Sequence, residues 1–566
     1  MIIDARTIRD GRTLPADLVV IGAGPAGIVT AMEVAKRGFD VLVIESGKEA
    51  FSPEIQRLAD AAAWDPDLHP PMSIATRRQV GGTSVIWGGR CVPYDPIDFE
   101  TRPVSDAVWP VGYQDLIPFF QRASDWLVCG RSVFDATQIE SLPDSIVPGL
   151  GDEEVRTSTL ERWSLPTDFG REYRVQLRRS RRVRLVMGLT CTEIVCSPGG
   201  VSVDRVECRT LDRRQIRARG RRYVVACGGL EGTRLLLASR SHHRDGIGNH
   251  SSHLGRWYMG HVEGVIANVH FSTPPRTTIF GYERDIDGVY VRRRFSFTKE
   301  FLRQRRLPNV VAWLANPELA DPVHRSGILS FVYLALSSPL GKRFAPDAQR
   351  LSLTGESVPG SPYGGVQRGP IREHLTNVIH DLGPTVDFAI RFGAKRFLAR
   401  RRRAPGFFIY SPHNTYPLQY HGEHLPNPES TVSLTQDQDA VGMPKLRIDL
   451  RFSDRDVDGI VRAHRYWDSF LRRTGKGHLE YRYLDLQEAV WDRIGGGFHQ
   501  VGTTRMSSHP NDGVVDANLA VHGFEDLYVA SSSTFVSSSQ ANSTFMIVVF
   551  SVRLADHLVS SLRRAT

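Results

Sequence analysis

Three glycines and one glutamate near the start of the 566-residue chain have the types and the spacing that bind a dinucleotide. Gly22, Gly24 and Gly27 form the pattern G-x-G-x-x-G. In that pattern the first glycine permits a tight turn, the second lets a pyrophosphate approach the backbone, and the third lets a helix pack closely on a strand. Glu45 follows about 20 residues later, where a carboxylate accepts hydrogen bonds from ribose hydroxyls. An acid at this place favours an adenosine ribose without a 2′-phosphate, so the motif predicts FAD or NAD rather than NADP.

A second glycine-rich stretch, GGTSVIWGGR at residues 81–90, has the composition of a loop that lies against a ligand. Four glycines with the small polar residues Thr83 and Ser84 let the backbone lie against a flat or anionic group. The same composition also suits an ordinary surface loop, so the residues alone leave both interpretations open.

Strand and helix patterns around the first motif predict the elements that position it. Leu18–Ile21 is a short apolar run typical of a strand buried on both faces. The helix predicted over residues 28–37 presents free N–H groups and a positive dipole end to phosphates. Residues 41–44 form the next strand, and residues 222–236 repeat the order of strand, glycine turn and helix. We therefore expect an α/β sheet of the Rossmann type.

The rest of the chain predicts connector helices over residues of about 100–150 and a mixed region from 262 to about 490. In that region an antiparallel sheet backed by helices is expected. Its predicted strands are Val265–Phe271, Val289–Phe297, Gly327–Leu336, Thr431–Leu434 and Lys445–Phe452, and its predicted helices include Asp454–Arg472.

Residues 371–403 predict a basic amphipathic helix that is broken in two at Gly383 and Pro384. Its apolar positions are Leu375, Ile379, Val386, Ile390 and Phe397. Such a helix can lie on a membrane surface. It more commonly covers a hydrophobic core, so we do not expect membrane contact here.

The two ends of the chain together resemble the glucose–methanol–choline (GMC) flavin oxidoreductases. The Rossmann start is followed by the loop at residues 81–90. Three further motifs follow in the family's order: H-x-x-G-T-x-R-M at residues 499–506, H-G-x-x-x-L-Y-V at residues 522–529 and A-N-x-T at residues 541–544. The likeness is closest to the pyranose-oxidising and bacterial sugar-dehydrogenase branch, and the middle of the chain resembles the family only loosely.

The resemblance implies which residues carry the chemistry. Alcohol oxidation removes a hydroxyl proton and a hydride from one carbinol group, and a histidine with a near-neutral pKa is the natural base. By motif position that base is His499, and Asn542 hydrogen-bonds the same hydroxyl. Ser543 replaces a residue that is commonly proline in the family. His261, in a stretch that leads out of the cofactor domain, is a weaker candidate for a direct role.

The resemblance also implies FAD as the cofactor, with hydride transfer to flavin N5. In the pyranose oxidase branch a histidine before the tryptophan bonds covalently to the flavin, whereas this chain has Ile86, so we predict non-covalent FAD. The helix that starts near Ser543 would present its positive end to the flavin. The predicted cofactor-binding residues are Gly22, Gly24, Pro25, Ala26, Gly27, Glu45, Ser46, Gly82, Thr83, Ser84, Trp87, Gly88, Gly89, Ala226, Gly228, Ser532, Asn542, Ser543 and Thr544.

These predictions combine into a fold. We expect a Rossmann-type FAD-binding domain of the GMC type, formed by residues 1–261 and 495–566, and an α+β substrate-binding domain with an antiparallel sheet, formed by residues 262–494. No metal site is predicted, because the six cysteines form no C-x-x-C pair.

The composition and charge of the chain indicate which classes of partner, nucleic acid or membrane, it is expected to bind. The net charge is +9 and the calculated pI is near 9.3. Arginine runs such as residues 178–182 and 400–403 have no interleaved aromatic residues, so we interpret them as solvated surfaces rather than a nucleic-acid site. The polar N-terminus lacks the apolar segment of a signal peptide, and no run of about 18 apolar residues is expected to span a membrane. The expected location is cytoplasmic.

The predicted function is FAD-dependent oxidation of a CH–OH group of a sugar, a glycoside or a sugar-containing small molecule. Oxygen and other electron acceptors are both compatible with the sequence. The alternative is oxidation of a non-sugar alcohol, either choline-like or aromatic. A flavoprotein without turnover is disfavoured, because His499 and Asn542 are both present.

Overall fold

The computed structural model describes residues 1–164, 167–357, 368–399 and 401–564. Arg400, which belongs to a predicted arginine run and to the predicted helix over 371–403, lies outside these ranges.

The described residues form strands that we number in chain order. They are β1 Ile2–Asp4, β2 Thr13–Pro15, β3 Leu18–Ile21, β4 Val41–Glu45, β5 Arg90–Cys91, β6 Val155–Arg156, β7 Leu160–Trp163, β8 Val183–Met187, β9 Thr190–Cys196, β10 Val203–Arg209, β11 Gln215–Arg219, β12 Arg222–Val225, β13 His261–Phe271, β14 Glu283–Arg284, β15 Tyr290–Arg293, β16 Phe295–Phe297, β17 Val310–Leu314, β18 Thr415–Glu423, β19 Thr431–Gln438, β20 Pro444–Asp449, β21 Gly477–Tyr481 and β22 Leu527–Val529.

The α-helices are numbered in the same way. They are α1 Pro25–Lys36, α2 Pro53–Gln56, α3 Met72–Ala75, α4 Tyr113–Leu127, α5 Phe169–Glu172, α6 Arg174–Arg179, α7 Gly229–Ala238, α8 Lys299–Arg305, α9 Gly327–Ser337, α10 Gly341–Phe344, α11 Asp347–Thr354, α12 Ile371–His380, α13 Leu382–Gly393, α14 Asp454–Arg473, α15 Leu486–Trp491 and α16 Thr544–Arg564.

A six-stranded sheet in the order β1-β8-β4-β3-β12-β22 carries the glycine motif, and every neighbouring pair in it is parallel. All four residues of β3 are buried, as expected for a strand covered on both faces. The order of strand, helix and strand predicted around the motif is confirmed. A four-stranded sheet, β2-β11-β10-β9, lies beside it in the chain's first half.

The second large sheet has the order β21-β13-β18-β17-β16-β6 and is antiparallel throughout. Helix α14 packs against it through Trp467 and Phe470, which are fully buried. The α/β fold class with an added antiparallel sheet is therefore confirmed.

Two local predictions are wrong. Residues 327–336 form helix α9 rather than a strand, because the run is apolar throughout and Ser326 caps it by accepting a hydrogen bond from the Leu329 N–H at 3.3 Å. Helix α16 does have the length and composition of a membrane span, although it is mostly buried and packs against α1 and α4.

Candidate active site

The carboxyl ends of the parallel strands bring the predicted cofactor residues to one edge of the sheet. Strand β3 runs into the turn at Gly22, and β4 ends at Glu45. Strand β12 leads to Gly228 before α7, and β22 leads to Ser532. Residues that are far apart in the chain therefore face a common space.

That space is a cavity with an empty volume of about 1410 Å³. The predicted residues that line it are Gly22, Gly24, Pro25, Ala26, Glu45, Ser46, Gly82, Thr83, Ser84, Trp87, Ala226, Gly228, His499, Ser532, Ser543 and Thr544. Four predicted residues are not among the lining residues: Gly27, Gly88, Gly89 and Asn542. Sequence reasoning missed further lining residues, among them Arg77, Arg78, Glu231, Phe498 and Gln500.

Gly27 and Gly24 of the first motif differ in what requires a glycine at each position. A Cβ on Gly27 would lie 1.9 Å from the Gly22 carbonyl oxygen, so Gly27 lets α1 pack on the strand-to-helix turn. A Cβ on Gly24 would meet no protein atom closer than 3.9 Å, and the φ of Gly24 is −78°. Nothing in the protein therefore requires glycine at position 24, and the open space above it suits a close-approaching pyrophosphate.

The second glycine loop lies directly against the first. A Cβ on Gly82 would lie 2.9 Å from the Gly24 Cα, and Gly82 has a φ of +56°. The Ser84 hydroxyl donates to the Gly81 carbonyl and accepts from the Phe169 N–H, while the Trp87 indole donates to the Thr167 carbonyl at 3.0 Å. Ser84 and Trp87 thus fix the loop, and Thr83 is the exposed side chain that lines the cavity.

Glu45 is held in place by backbone donors. Its two carboxylate oxygens accept hydrogen bonds from the Ala23 N–H at 2.7 Å and the Gly47 N–H at 2.6 Å. Burial raises the pKa of Glu45, and these two donors act in the opposite direction. Each carboxylate oxygen has a second lone pair, so Glu45 can still accept from ribose hydroxyls. The glycine cradle, this acceptor and the N-terminus of α1 together fit a dinucleotide.

His499, which lines the cavity, lies beside Asn542. The Asn542 Nδ2 and the His499 Nε2 are 2.7 Å apart, which places a donor on an imidazole acceptor. The Asn542 Oδ1 is buried and has no hydrogen-bond partner among the described residues. A buried acceptor without a partner is costly, so this geometry suits a ligand that donates a hydrogen bond there.

Neighbouring groups determine which nitrogen of His499 is the base. The His261 Nε2 donates to the Ser538 carbonyl at 3.2 Å, which leaves the His261 Nδ1 as an acceptor. The His499 Nδ1 lies 3.0 Å from the His261 Nδ1 and must therefore carry the hydrogen. His499 consequently presents an unprotonated Nε2 toward Asn542. These tautomers follow from the hydrogen-bond network.

Burial lowers the pKa of His499 to about 4, and the charge of Arg90 acts in the same direction. This pKa is below the near-neutral value that the sequence predicted. The imidazole is therefore neutral at pH 7, which is the form that accepts a proton. Burial also lowers the pKa of Arg90, to about 10, and Arg90 forms an ion pair with the buried Glu161.

Two further groups near the base were not found from the sequence. The rings of His261 and His421 stack with centroids 4.3 Å apart, and the His421 Nε2 lies 4.0 Å from a carboxylate oxygen of Glu263. The register of β13 and β18 pairs Glu263 with His421 directly. No local motif marks His421, because strand pairing brings it to the site from a position 160 residues beyond His261.

The side chains of His261, His421 and His499 offer nitrogen atoms within 4.8 Å of one another. The positive charge of Arg90 lowers the pKa of both His421 and His499, so it also opposes a metal cation at the same place.

Comparisons with known proteins show which families and folds the chain resembles. The chain matches the family described as GMC oxidoreductase over residues 426–551 and the FAD binding domain over residues 17–56. It is 24% identical to 6‴-hydroxyparomomycin C oxidase of Streptomyces lividus, with 96% of this chain and 92% of the relative covered. It is 21% identical to 2-methyl-1,2-propanediol dehydrogenase of Mycolicibacterium austroafricanum, with 96% and 95% covered.

Among solved structures, the chain resembles formate oxidase of Aspergillus oryzae, with a TM-score of 0.54 and 15% identity. The match covers 99% of this chain and 100% of the other, and it indicates the same overall fold.

Proposed function

We propose that this chain, which belongs to the GMC oxidoreductases and is an FAD-dependent enzyme acting on alcohol groups, oxidises a CH–OH group of a sugar or glycoside. The observation that carries the proposal is the pair of His499 and Asn542, joined at 2.7 Å, with His499 lining the cofactor cavity. The bound FAD would accept the hydride from the carbinol carbon.

The two side chains have different roles toward the substrate hydroxyl. The His499 Nε2 takes the hydroxyl proton as general base, since its Nδ1 is already protonated and donates to His261. The Asn542 Nδ2 donates to the hydroxyl oxygen and fixes the direction of the adjacent C–H bond. A hydroxyl between these groups replaces the hydrogen bond that they now make to each other.

The cofactor would be held by the residues at the sheet edge. The N–H groups at the start of α1 and the space above Gly24 suit the pyrophosphate, and Glu45 suits the adenosine ribose. Ser543 and Thr544 at the start of α16 lie at the other end of the cavity and would place the positive end of that helix near the isoalloxazine. Ile86 offers no nucleophile, which supports non-covalent binding.

A polyhydroxylated substrate fits the polar groups around the base. Arg90 has a guanidinium nitrogen, Nη2, that is buried and has no hydrogen-bond partner among the described residues. The Asn542 Oδ1 is a matching unpaired acceptor. A sugar presents several hydroxyl groups that donate and accept, whereas a simple alcohol presents one. The similarity to 6‴-hydroxyparomomycin C oxidase, whose name denotes a sugar-containing substrate, supports the same choice.

The second candidate is oxidation of a small non-sugar alcohol. It is favoured by the similarity to 2-methyl-1,2-propanediol dehydrogenase, which spans nearly the whole of both chains.

We also propose that residues 1–261 and 495–566 form the cofactor domain and residues 262–494 the substrate domain. Two hydrophobic cores support this division, one centred on the parallel sheet and one on the antiparallel sheet, although residues 146–155 pack in the second core and Val441 and Met443 pack in the first. The hairpin of β19 and β20 is a junction between them, because Val432 and Leu446 pack with Leu230 of α7.

The experiment is a substrate panel. Purified holoprotein is assayed with monosaccharides, glycosides, aminoglycosides and simple diols, with both oxygen uptake and dye reduction as readouts so that either acceptor is detected. Higher kcat/KM for a sugar-containing compound than for any diol supports the proposal. A preference for small diols, with no turnover of any sugar, supports the second candidate instead.

A further inference from the structure

The segment of residues 321–403 contains an amphipathic arm whose apolar side faces outward along most of its length. The arm consists of α12, α13 and the π-helical turn Ala394–Leu398. Large aliphatic side chains recur at intervals of three or four residues from residue 371 to residue 390, and a further one follows eight residues later. Each is exposed: Ile371, Leu375, Ile379, Leu382, Val386, Ile390 and Leu398. Ile379 is 72% exposed, Ile390 68% and Leu398 79%, so these residues contribute little to any core of the described chain.

The side of α12 that packs on the protein is polar, whereas α13 packs through the half-buried rings of Phe388 and Phe392, whose centroids lie 4.9 and 5.3 Å from that of Phe407. His374 is fully buried and bonds to the Ser330 hydroxyl on α9 through Nδ1 at 3.0 Å. The Asn377 amide donates to the Pro322 carbonyl, and the Asp381 carboxylate accepts from the Gly327 N–H, both at 2.9 Å. Thr385 is also buried, with 3% of its surface exposed.

This arrangement reverses the usual amphipathic helix. In a helix that covers a core, the apolar stripe faces inward and the polar residues face water. The expectation that this helix covers a core is therefore wrong for α12, whereas Phe392 of α13 does pack against a small core formed by Trp163, Tyr290 and Ala404. Here the hydrogen-bonding groups are used for attachment, and the apolar stripe is left for an external apolar environment. Contiguous exposed apolar surface of this kind marks an interaction site.

The exposed surface extends onto neighbouring elements. Phe331, Leu340, Phe344 and Leu353 of the α9–α11 region are also exposed. The rings of Phe344 and Phe397 meet with centroids 5.8 Å apart, which joins the second group to the arm.

The same segment accounts for most of the net positive charge of the molecule. Residues 321–403 include 13 Lys and Arg against six Asp and Glu, a surplus of seven in a chain whose net charge is +9. Arg372, Arg391 and Lys395 on the arm and Lys342 and Arg343 on α10 are exposed. A basic and apolar surface is complementary to an anionic lipid bilayer.

We propose that the outer side of the arm docks on the surface of an anionic phospholipid bilayer. Helices of 10 and 12 residues are too short to span the hydrocarbon core, so the arm would lie in the interface with its stripe among the acyl chains. A second copy of the chain is a poorer occupant, because two surfaces with the same positive surplus repel each other.

Docking would bring the membrane near the glycine loop at residues 81–90. Helix α11 packs against α3, and the Gln349 amide lies close enough to Gly88 that a Cβ there would be 3.5 Å from it. The segment that meets the lipid is thus in contact with the loop that lines the cofactor cavity.

The test is flotation of the full-length holoprotein with vesicles of equal parts phosphatidylglycerol and phosphatidylcholine, compared with vesicles of phosphatidylcholine alone. The variant Ile379→Glu/Ile390→Glu places two charges in the stripe. The matched control, Val201→Glu/Leu484→Glu, alters two exposed aliphatic residues outside the segment. The flavin absorbance and turnover of each variant report that it is folded.

We expect the wild type and the control to float with the anionic vesicles and to detach as salt is raised. The stripe variant should bind at least about tenfold more weakly, because charged side chains replace apolar ones at the acyl boundary. Failure of the wild type to float, or undiminished flotation of the stripe variant, would overturn the proposal. Dimerisation of the wild type without vesicle binding, lost in the stripe variant, would overturn it in favour of a second copy.

Discussion

His499 is fixed as a hydrogen-bond acceptor at one atom by two neighbours. His261 holds its Nδ1–H, and Asn542 points a donor at its Nε2. Replacing His499 with alanine removes the base and leaves the cofactor cradle intact. We expect flavin reduction by substrate to fall by about 10²- to 10⁴-fold, the usual contribution of a general base. Stopped-flow absorbance measures the rate, and an unchanged flavin content shows that the fold is preserved.

His261 acts on the reaction through His499. In the variant His261→Leu, the Nδ1–H of His499 loses its acceptor, so the imidazole can adopt the tautomer that presents N–H to the substrate. We expect a loss of flavin reduction smaller than that of His499→Ala, since general-base catalysis as a whole contributes about 10²- to 10⁴-fold. The acceptor-retaining variant His261→Asn should recover part of the rate. Equal rates for wild type and His261→Leu would contradict the tautomer assignment.

The low pKa of His499 has a direct consequence for the pH profile. The neutral imidazole is the active form, and burial with Arg90 lowers its pKa from 6.5 to about 4. Activity should therefore persist as the pH falls through 6.5 and decline only as it approaches about 4. The measurement is kcat/KM against pH, over the range in which the holoprotein remains folded. An acid limb centred at 6.5 or above would show that the base is another group or that His499 is solvated.

At the scale of the element, two glycines of the first motif have different roles, one in the packing of α1 and one in FAD binding. In Gly27→Ala the new Cβ meets the Gly22 carbonyl at 1.9 Å, so α1 must move away from the turn. In Gly24→Ala the Cβ enters open space with a backbone that any residue adopts. We expect Gly24→Ala to keep the stability of the apoprotein while weakening FAD binding, and Gly27→Ala to lose both.

Thermal unfolding of the apoproteins and fluorescence titration with FAD distinguish these variants. Unchanged FAD affinity in Gly24→Ala would contradict the position assigned to the pyrophosphate. Wild-type stability in Gly27→Ala would contradict the close packing between α1 and the turn.

Elements whose signal is local were predictable from the sequence. The turn at Gly22, the strand before it and the acid after β4 all lie within one short stretch, and each has a distinct residue pattern. The strand predicted over Gly327–Leu336 is wrong, because an apolar run without alternation fits a buried strand and a helix equally. The period of the arm identified a helix but could not show which side packs on the protein, since that depends on polar partners such as Ser330.

At the scale of the molecule, the site depends on contacts between distant parts of the chain. His261, His421 and His499 meet because β13 pairs with β18 and because β13 begins beside the C-terminal block. A single sequence holds no local record of that pairing, so His421, Glu263 and Arg90 were not predicted as site residues. Motifs at both ends of the chain were sufficient for the family and the cofactor.

Buried histidines should also make the whole fold sensitive to acid. Burial lowers the pKa of His69, His464 and His499 to about 4. The unfolded chain therefore binds more protons between pH 6.5 and 4, and the stability that these groups provide above pH 6.5 is lost as the pH falls through this window. At pH 5 the loss is about 2 kcal/mol for each such histidine.

Buried acids act in the opposite direction, and burial raises the pKa of six of them: Glu45, Asp60, Asp98, Asp168, Glu263 and Asp526. Burial raises the pKa of Asp98 to about 7 and that of Asp526 to about 6, so both favour the folded state as the pH falls. The histidines prevail, because burial also lowers the pKa of His261, His421 and His424. We expect the free energy of unfolding to be lower at pH 5 than at pH 7.5, by a few kcal/mol. Denaturant unfolding at both pH values measures it, and equal or greater stability at pH 5 would contradict the balance.

The most direct test of the central claim is an anaerobic titration of the bound flavin, followed by its visible absorbance. The claim is that the chain binds FAD and removes a proton and a hydride from a sugar CH–OH with His499 as base. It predicts that a sugar or glycoside bleaches the flavin of the wild type and that the His499→Ala variant keeps its yellow flavin under the same conditions. A protein that binds FAD but is bleached by no sugar, or a His499→Ala variant bleached as fast as the wild type, would contradict it.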